Sequence, residues 1–364
     1  MSWPKVRIGD VCEVKAGRDY KDVESPDGKY PIYGTGGVMG MSREWRCPAG
    51  SVIVGRKGTL DNPMLINEPF WNIDTCFGVV PSDKLLPAYL WRFCQNFDFY
   101  SLVPASGRPS TTSDAVKAIK LPLPPLAEQK KIVEKVEKAL KRVDALKAQF
   151  ERMEKSAADY FKAALAETFA AVKGEKVKLG DVCETITDGD HQPPPKTDDG
   201  VPFLVISNVA DGVLDFKATR HVPVRYYEAI DEKRKPKMGD VLLTVTGSFG
   251  IPVLVDTDRP FCFQRHIALL RTSKMAPEFL KYLMLAPESV QYFDRVATGA
   301  AQRTVSLSSL REMKVTLPQM QIQCEVVKRL TEIKCTASRL EEAARRCIGI
   351  CGKMRKAILA EAFQ

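Results

Sequence analysis

The sequence contains no run of 18 apolar residues, so no segment is expected to cross a membrane. It has no GxxxxGK[ST] phosphate loop, which excludes ATP hydrolysis by that route. Its ten cysteines include no CxxC or CxxH spacing, so metal ligation is not indicated. Cys347 and Cys351 are four apart, but both fall on an apolar helical stripe and read as small core residues. No apolar segment follows Met1-Ser2-Trp3-Pro4-Lys5, so no signal peptide is expected, and reduced thiols in the cytoplasm are the expectation. Basic charge is in modest excess: 54 Lys and Arg against 45 Asp and Glu leave +9. That favours a polyanionic partner without specifying one. The 364 residues are enough for two or three domains with real cores.

What is present is a chain written nearly twice. Val6-Arg7-Ile8-Gly9-Asp10-Val11-Cys12-Glu13 returns as Val177-Lys178-Leu179-Gly180-Asp181-Val182-Cys183-Glu184, 171 residues later. Ser51-Val52-Ile53-Val54 with Gly58-Thr59 matches Asp240-Val241-Leu242-Leu243 with Gly247-Ser248 at 189. Pro87-Ala88-Tyr89-Leu90 matches Pro277-Glu278-Phe279-Leu280 at 190, and Leu123-Pro124 matches Leu317-Pro318 at 194. The offset grows by 18 (189 minus 171) between the first two anchors. The main length difference therefore belongs between about Asp19 and Cys47 in the first copy and its counterpart in the second. A shared scaffold with one variable stretch suits modules with different targets.

Each copy ends in a long helix. Ile132, Val136, Ala139, Val143, Leu146, Phe150, Met153, Ala157, Tyr160 and Ala164 step by fours and threes. Adding 194 gives Val326, Leu330, Ile333, Ala337, Leu340, Ala344, Cys347, Cys351, Met354 and Ile358, again all apolar. A 3.5-residue repeat is a coiled-coil seam. Two seams in one register predict an antiparallel pair, about 65–70 Å long at 1.5 Å per residue. Proline-rich Leu121-Pro122-Leu123-Pro124-Pro125 and Thr316-Leu317-Pro318 mark the helix entries. Gly349 and Gly352 lie inside the second helix, where each costs about 1 kcal/mol relative to Ala and could permit close approach or a kink.

The globular halves read as strand-rich. Short apolar runs at Ser51–Val54, Phe77–Val80, Val241–Val245 and Ile267–Leu270 alternate with turn residues, and helical patches fall near Pro87–Gln95 and Pro277–Leu285. The expected fold class is α+β: two strand-rich heads (1–125 and 174–318) separated by two long helices (126–173 and 319–364) forming an antiparallel coiled coil with a pseudo-two-fold repeat. That pattern predicts a rod with a head at each end, able to present two half-sites spaced as on a ruler.

The ordered set of motifs resembles one family along the whole chain, the specificity (S) subunits of type I restriction–modification enzymes. The resemblance rests on Gly9-Asp10-Val11 and Gly180-Asp181-Val182, and on Leu123-Pro124-Pro125-Leu126-Ala127-Glu128-Gln129. It rests also on Gly239-Asp240-Val241-Leu242-Leu243-Thr244 with Gly247-Ser248-Phe249-Gly250. Lys162-Ala163-Ala164-Leu165-Ala166-Glu167-Thr168-Phe169 and Lys356-Ala357-Ile358-Leu359-Ala360-Glu361-Ala362-Phe363 complete it. Leu317-Pro318-Gln319-Met320-Gln321-Ile322-Gln323 is a degenerate second copy of the helix entry. The resemblance implies double-stranded DNA as ligand and two target-recognition domains reading a bipartite sequence. It implies helices that dock two methyltransferase (M) subunits, which restriction/translocase (R) subunits then join. It also implies no cofactor in this chain, with S-adenosylmethionine, ATP and Mg expected on the partner subunits. A 65 Å ruler would cover roughly 19 base pairs at 3.4 Å each.

Candidate DNA contacts follow from residue chemistry. Arg56-Lys57-Gly58-Thr59 is the densest basic turn of the first head, suited to guanine edges and phosphates or else simply solvated. Arg18, Lys21, Arg43 and Arg46 fall in the length-variable stretch with Tyr20 and Trp45. Arg108 lies among small hydroxyl residues, and its counterpart Arg303 follows Gln302, which can pair with adenine. In the second head, His191 and Gln192 precede a proline run with Lys196 beyond it. Ser248 matches Thr59 at an offset of 189. Gln264-Arg265-His266 precedes a strand where Asn72-Ile73-Asp74-Thr75 precedes its counterpart, and a structural turn is the competing reading. Lys233-Arg234-Lys235-Pro236-Lys237 reads as an exposed backbone-contacting or solvated loop. Tyr33-Gly34-Thr35-Gly36-Gly37-Val38-Met39-Gly40 reads as a flexible loop able to approach a DNA backbone. Asn67-Glu68-Pro69-Phe70 faintly resembles an amino-methyltransferase loop, but no cofactor loop precedes it, and a turn is preferred.

The mixed charges of Lys130, Lys131, Glu134, Lys135, Glu137, Lys138, Lys141, Arg142 and Asp144 are either a solvated face or part of an M-docking surface. A coiled-coil scaffold with two protein-binding heads is the alternative function, and a self-sufficient methyltransferase is disfavoured by the missing cofactor loop. Salt-sensitive, sequence-selective DNA binding separates the first from the scaffold.

Overall fold

The computed structural model describes residues 3–103, 109–191, 194–300 and 302–363. They form two compact units. One comprises residues 1–152 and 344–364, the other 153–343.

The first head contains strands β1 (Lys5–Arg7), β2 (Cys12–Ala16), β3 (Tyr30–Gly34), β4 (Gly37–Ser42) and β5 (Ser51–Gly55). Strands β6 (Met64–Ile66), β7 (Trp71–Asn72), β8 (Cys76–Pro81) and β9 (Lys120–Pro122) follow. Its short helices are α1 (Ile8–Val11), α2 (Pro87–Asn96) and α3 (Ser113–Ala118). Helix α4 (Leu126–Ala171) leads to the second head. That head holds β10 (Glu175–Lys178), α5 (Leu179–Val182), β11 (Thr185–Asp188), β12 (Val201–Leu204), β13 (Arg220–Val222) and α6 (Val224–Glu228). Then come β14 (Val241–Thr244), β15 (Pro252–Leu254), β16 (Cys262–Phe263), β17 (Ile267–Arg271), α7 (Pro277–Leu285), α8 (Pro287–Val296), α9 (Leu307–Glu312) and β18 (Lys314–Leu317). Helix α10 (Met320–Ala362) ends the chain.

The duplication holds strand by strand. Sheet orders β2-β8-β5-β6 and β11-β17-β14-β15 are equivalent, as are β4-β3-β7 and β13-β12-β16. In the three-stranded sheets β3/β4 and β12/β13 are antiparallel, whereas β3/β7 and β12/β16 are parallel. Val6 pairs with Leu121, and Val177 with Val315, closing each head at its base.

The expected apolar runs are the central strands, because they are covered on both faces. Val52 and Val54 of β5 enter the core beneath α2, while Ile53 faces the three-stranded sheet. In the second head Val241 and Leu243 share a core with α7, and Leu242 points to the opposite core. Period-two alternation between two apolar layers produces a strand with no polar face.

The extra 18 residues of the second head fall in two places. Tyr30 pairs with Ser42 where Val201 pairs with Val222, so β3 and β4 carry offsets of 171 and 180. Nine residues therefore enlarge the β12–β13 connection. The other nine precede β14, where α6 and a 3-10 turn at Glu232–Arg234 are added.

In the first unit Val136, Leu140 and Leu359 form one apolar cluster across α4 and α10. Lys135–Glu361 (3.4 Å) and Asp144–Arg355 (2.8 Å) run in opposite chain directions, so this pairing is antiparallel. Phe363 then packs edge-on against Tyr89, ring centres 5.2 Å apart. In the second unit Ala164, Leu165, Val326 and Leu330 join the core of the second head. Phe169 packs there on Phe279 at 5.6 Å, and Glu167 pairs with Arg329 at 3.2 Å.

Two expectations about the helices need correction. The seam is not buried throughout: Leu146, Tyr160, Leu340 and Met354 are exposed. The buried stripe also widens by one position: Val133 and Leu165 join the cores of the heads, and Leu140 and Leu359 pack together with Val136 between the helices. A 3.6-residue helix also drifts from a strict 3.5 repeat by about 20° per heptad. Gly349 and Gly352 face open space, where an added Cβ would meet no atom within 4 Å, so close approach is not their role.

A further correction concerns Tyr33–Gly40. It is the β3–β4 hairpin rather than a flexible loop, turning at Thr35-Gly36 with Gly37 at φ +116°. Glycine at the turn supplies the backbone angle that closes the ribbon. Lys233–Lys237 is likewise not a freely solvated run. Lys235 pairs with Glu232 at 2.6 Å and lies over the Tyr227 ring.

Candidate nucleic-acid interface

In each head, four loops meet at one end of the four-stranded sheet. In the first head β2 ends opposite the start of β8, and Gly17 N–H and Arg18 N–H donate to Cys76 O and Asn72 O at 3.1 Å. On the other side of the Ile73–Thr75 turn, Arg56 N–H donates to Thr75 O at 2.9 Å. Lys57 then bridges to Ser110, Gly58 N–H bonds Pro109 O, and Thr111 N–H bonds Arg56 O. The result is a continuous row: Arg18, the 73–75 turn, Arg56–Thr59, then 109–111.

The second head repeats the row with other side chains. Gly189 N–H donates toward Ile267 O, and Arg265 N–H to Asp190 O at 3.0 Å. Val245 N–H reaches His266 O at 2.9 Å, and Gly247 N–H reaches Arg303 O at 3.0 Å. The Thr246–Thr304 bridge is the counterpart of Lys57–Ser110. Here the row reads Asp190, Gln264–His266, Thr246–Ser248, Gln302–Thr304.

Two glycines allow the rows to close. A Cβ on Gly17 would lie 1.8 Å from Ile73 O, and one on Gly189 would lie 1.9 Å from Phe263 O. No side chain fits at those distances.

Charge on the two rows differs. Arg46 sits over the Trp71 ring at 5.2 Å and donates to Ala16 O, while Trp71 Nε1 donates to Arg18 O at 3.3 Å. Burial, and then the neighbouring Arg18, lower the proton affinity of the Arg46 guanidinium. Lys57 pairs with Asp74 at 3.2 Å, and Arg56 donates to Asp74 O. At the equivalent place the second head has Arg265 in place of Asp74, reversing the sign. His266 beside it is pushed down from the usual histidine value by burial and by Arg265. Arg234 donates to Asp188 O and Gly189 O and pairs with Asp190 at 3.3 Å, where Tyr226 also donates at 2.9 Å. Arg303 pairs with Asp294 and lies over Phe249 at 5.2 Å.

Of the sequence candidates, Arg18, Arg56, Lys57 and Thr59 stand on the first row. Ser248, Gln264, Arg265, Gln302 and Arg303 stand on the second. His191 borders it, 2.9 Å from Asp188. Lys21 and Arg43 are not brought to the row. Arg43 follows β4 at the end away from the hairpin turn, bonding Val23 O on the loop that carries Lys21. Lys196 adjoins β13 through the Thr197–His221 bridge instead. Arg108 and Gln192 lie outside the described residues.

The structure adds Gly17 and Gly189 to the two rows, and it gives Arg46 and Arg234, each within a basic stretch singled out in the sequence, matching places beside them. The signal exists: Gly17 and Gly189 differ by 172, and Arg46 and Arg234 by 188, each within one of an anchor offset. Among the described residues, no three His, Cys, Asp or Glu come together to hold a metal. No helix there is long and apolar enough to cross a membrane.

Duplicated α+β heads, each presenting a differently charged row of loops, and a pair of long helices define a two-headed recognition protein. A family model described as "Type I restriction modification DNA specificity domain" matches residues 2–155 and 172–345. The chain belongs to that family, as a type I specificity subunit with two target-recognition domains. It is 25% identical over 405 residues to the EcoBI specificity subunit of Escherichia coli, covering 99% of this chain and 79% of that one. To the EcoKI specificity subunit of E. coli K12 it is 25% identical, covering 68% of this chain and 57% of that protein. A chain from a structural study of complex assembly and conformational transition of the type I R-M system superposes with a TM-score of 0.80. Its sequence identity is 22%, covering 100% of this chain and 98% of the other. The HsdS subunit of Thermoanaerobacter tengcongensis gives a TM-score of 0.60 at 22% identity, covering 100% and 96%. These two superpositions establish the fold.

Proposed function

We propose that the two rows read the two parts of a bipartite sequence in duplex DNA, and that the chain itself carries out no chemistry. The observation that carries this reading is the repeated row: one backbone frame in both heads, bearing different side chains. Arg18, Arg56 and Lys57 supply phosphate and guanine contacts in the first head. Gln264, Arg265, Gln302 and Arg303 do so in the second, with Gln suited to adenine and Ser248 and Thr59 to hydroxyl contacts. Lys21, Arg43, His191 and Lys196 act at the margins, on the backbone.

Methylation and cleavage belong to partners in this reading. Two M subunits, and R subunits through them, bring S-adenosylmethionine, ATP and Mg, and the assembly works in the cytoplasm. Exposed apolar residues at repeat-equivalent helix positions support two equal docking faces. Leu126, Leu146 and Met354 lie in the first unit, and Met320, Leu340 and Tyr160 in the second.

The test is to reconstitute the full chain with methyltransferase subunits and map the modified sequence. The expected result is one bipartite motif, with affinity falling steeply as salt rises. Binding that ignores both sequence and salt would leave a protein-binding scaffold as the better reading.

A further inference from the structure

We propose that the β3–β4 hairpin of the first head is a reading finger, and that Val38 and Met39 at its tip contact thymine C5-methyl groups in the major groove. This rests on the DNA-reading role proposed above and names a specificity determinant within it.

Val38 is 60% exposed and Met39 53%. The register shifts between Ile32 and Tyr33, which pair with Gly40 and Val38, so Met39 is the extra residue of a bulge and both side chains remain largely exposed at this end of β4. A Cβ on Gly36 or Gly37 would meet nothing within 4 Å, so the tip projects clear of the head.

The base of the finger is fixed. Ile73 N–H donates to Tyr33 O at 3.1 Å, and Asn62 Nδ2 donates to Thr35 O at 2.9 Å. A Cβ on Gly34 would lie 2.9 Å from Met39 Sδ and 3.1 Å from Ile73 Cδ1. The finger thus rises beside the 73–75 turn, in the middle of the row that carries Arg18, Arg56 and Lys57.

The chemistry points to a base edge. Duplex DNA admits a two-stranded β-ribbon into its major groove, where the thymine methyl is an apolar group on an otherwise polar edge. Arg18, Arg56 and Lys57 stand on the row beside the base of the finger, where phosphates would border the base edge that the tip meets. The second head builds its counterpart differently. Its β12–β13 connection runs over 205–219, and Phe216 there is packed on Phe261 at 5.6 Å and beneath Arg259. The finger therefore belongs to the first half-site alone.

The test uses the full chain reconstituted with methyltransferase subunits. Thymines of the first half-site are replaced one at a time by uracil, which removes only the methyl. The wild-type chain is expected to lose about fourfold in affinity for each methyl it reads, the factor for one buried methylene-sized group. The V38S/M39S variant should be indifferent to the same replacements, accept other bases there, and keep the second half-site intact. Val38→Thr, which keeps the shape, should fall between. The proposal is overturned by a wild-type chain indifferent to uracil at every thymine, or by a variant that retains the original motif. Loss of both half-sites in the variant also overturns it, as does loss of methyltransferase assembly with unchanged DNA selectivity. A wild-type chain without any sequence selectivity would instead remove the underlying DNA-reading function.

Discussion

Gln129 and Gln323, 194 residues apart, make the same three backbone hydrogen bonds at the entries of the two long helices. Gln129 Oε1 accepts from Leu86 N–H at 2.8 Å, and its Nε2 donates to Lys84 O and Pro124 O. Gln323 Oε1 accepts from Ala276 N–H at 2.8 Å, and its Nε2 donates to Lys274 O and Pro318 O. Both side chains are buried. Each locks the first turn of a helix to the loop before α2 or α7, so helix direction and head orientation are set together within each unit.

Replacing Gln129 or Gln323 by Ala removes three hydrogen bonds to backbone groups, one buried and two part-buried. Each substitution should destabilise its own unit by about 2–4 kcal/mol. Hydrogen exchange on the full chain checks this, with faster exchange expected around Leu86 for the first and Ala276 for the second. A change under about 0.5 kcal/mol would show that water replaces the amide without loss.

Gly17→Ala and Gly189→Ala force a methyl into a carbonyl oxygen. Each should cost about 2–4 kcal/mol through local strain and open its row. Selectivity should be lost only for the half-site read by the altered head, as seen in the modified-sequence motif. Simultaneous loss of both half-sites would mean that the heads do not read independently.

Lys57 and Asp74 make an exposed ion pair in the first row. Lys57→Ala should weaken DNA binding evenly across sequences and lower the salt slope by about 1. Asp74→Asn frees the ammonium and removes a carboxylate facing phosphates, so affinity should rise at low salt. Equal affinities for both variants and the wild type would place this turn away from DNA.

The buried thiols predict alkaline sensitivity. Burial pushes Cys12, Cys76, Cys183 and Cys262 up to about 12 and Cys47 to about 11, from an ordinary 9. Their stability contribution is full below pH 9 and is lost as pH rises through 11–12, because the unfolded chain releases these protons first. At pH 8 a thiol reagent should label the exposed Cys324 and Cys335 in the native chain, and the buried Cys12, Cys47, Cys76 and Cys262 only after denaturation. Rapid native labelling of Cys47 or Cys76 would contradict the packing around the first row.

Much of the architecture is legible in the residues. Apolar runs such as Ser51–Val54 and Ile267–Leu270 mark central strands, since a strand covered on both faces has no polar positions. The helix entries at Leu126 and Met320 follow from proline. The Tyr33–Gly40 hairpin escapes a sequence reading because its glycines and short turn look alike in a loop and in a ribbon. Leu146 and Tyr160 look like seam residues, yet they are exposed, because a 3.6-residue helix drifts away from a strict 3.5-residue stripe. The equivalence of Arg46 and Arg234 is hidden by the two nine-residue insertions between the anchors.

The sequence by itself determined the duplication, the α+β heads and the pair of amphipathic helices, because these depend on local periodicity and on comparing one half of the chain with the other. Only the tertiary structure decided which loops share a row and which cations, Lys21, Arg43 and Lys196 among them, stay apart from it. Loop proximity arises from strand pairing between residues as distant as Lys57 and Ser110, or Thr246 and Thr304. Backbone hydrogen bonds make those pairings, and they leave almost no mark on side-chain identity beyond a glycine where two backbones touch.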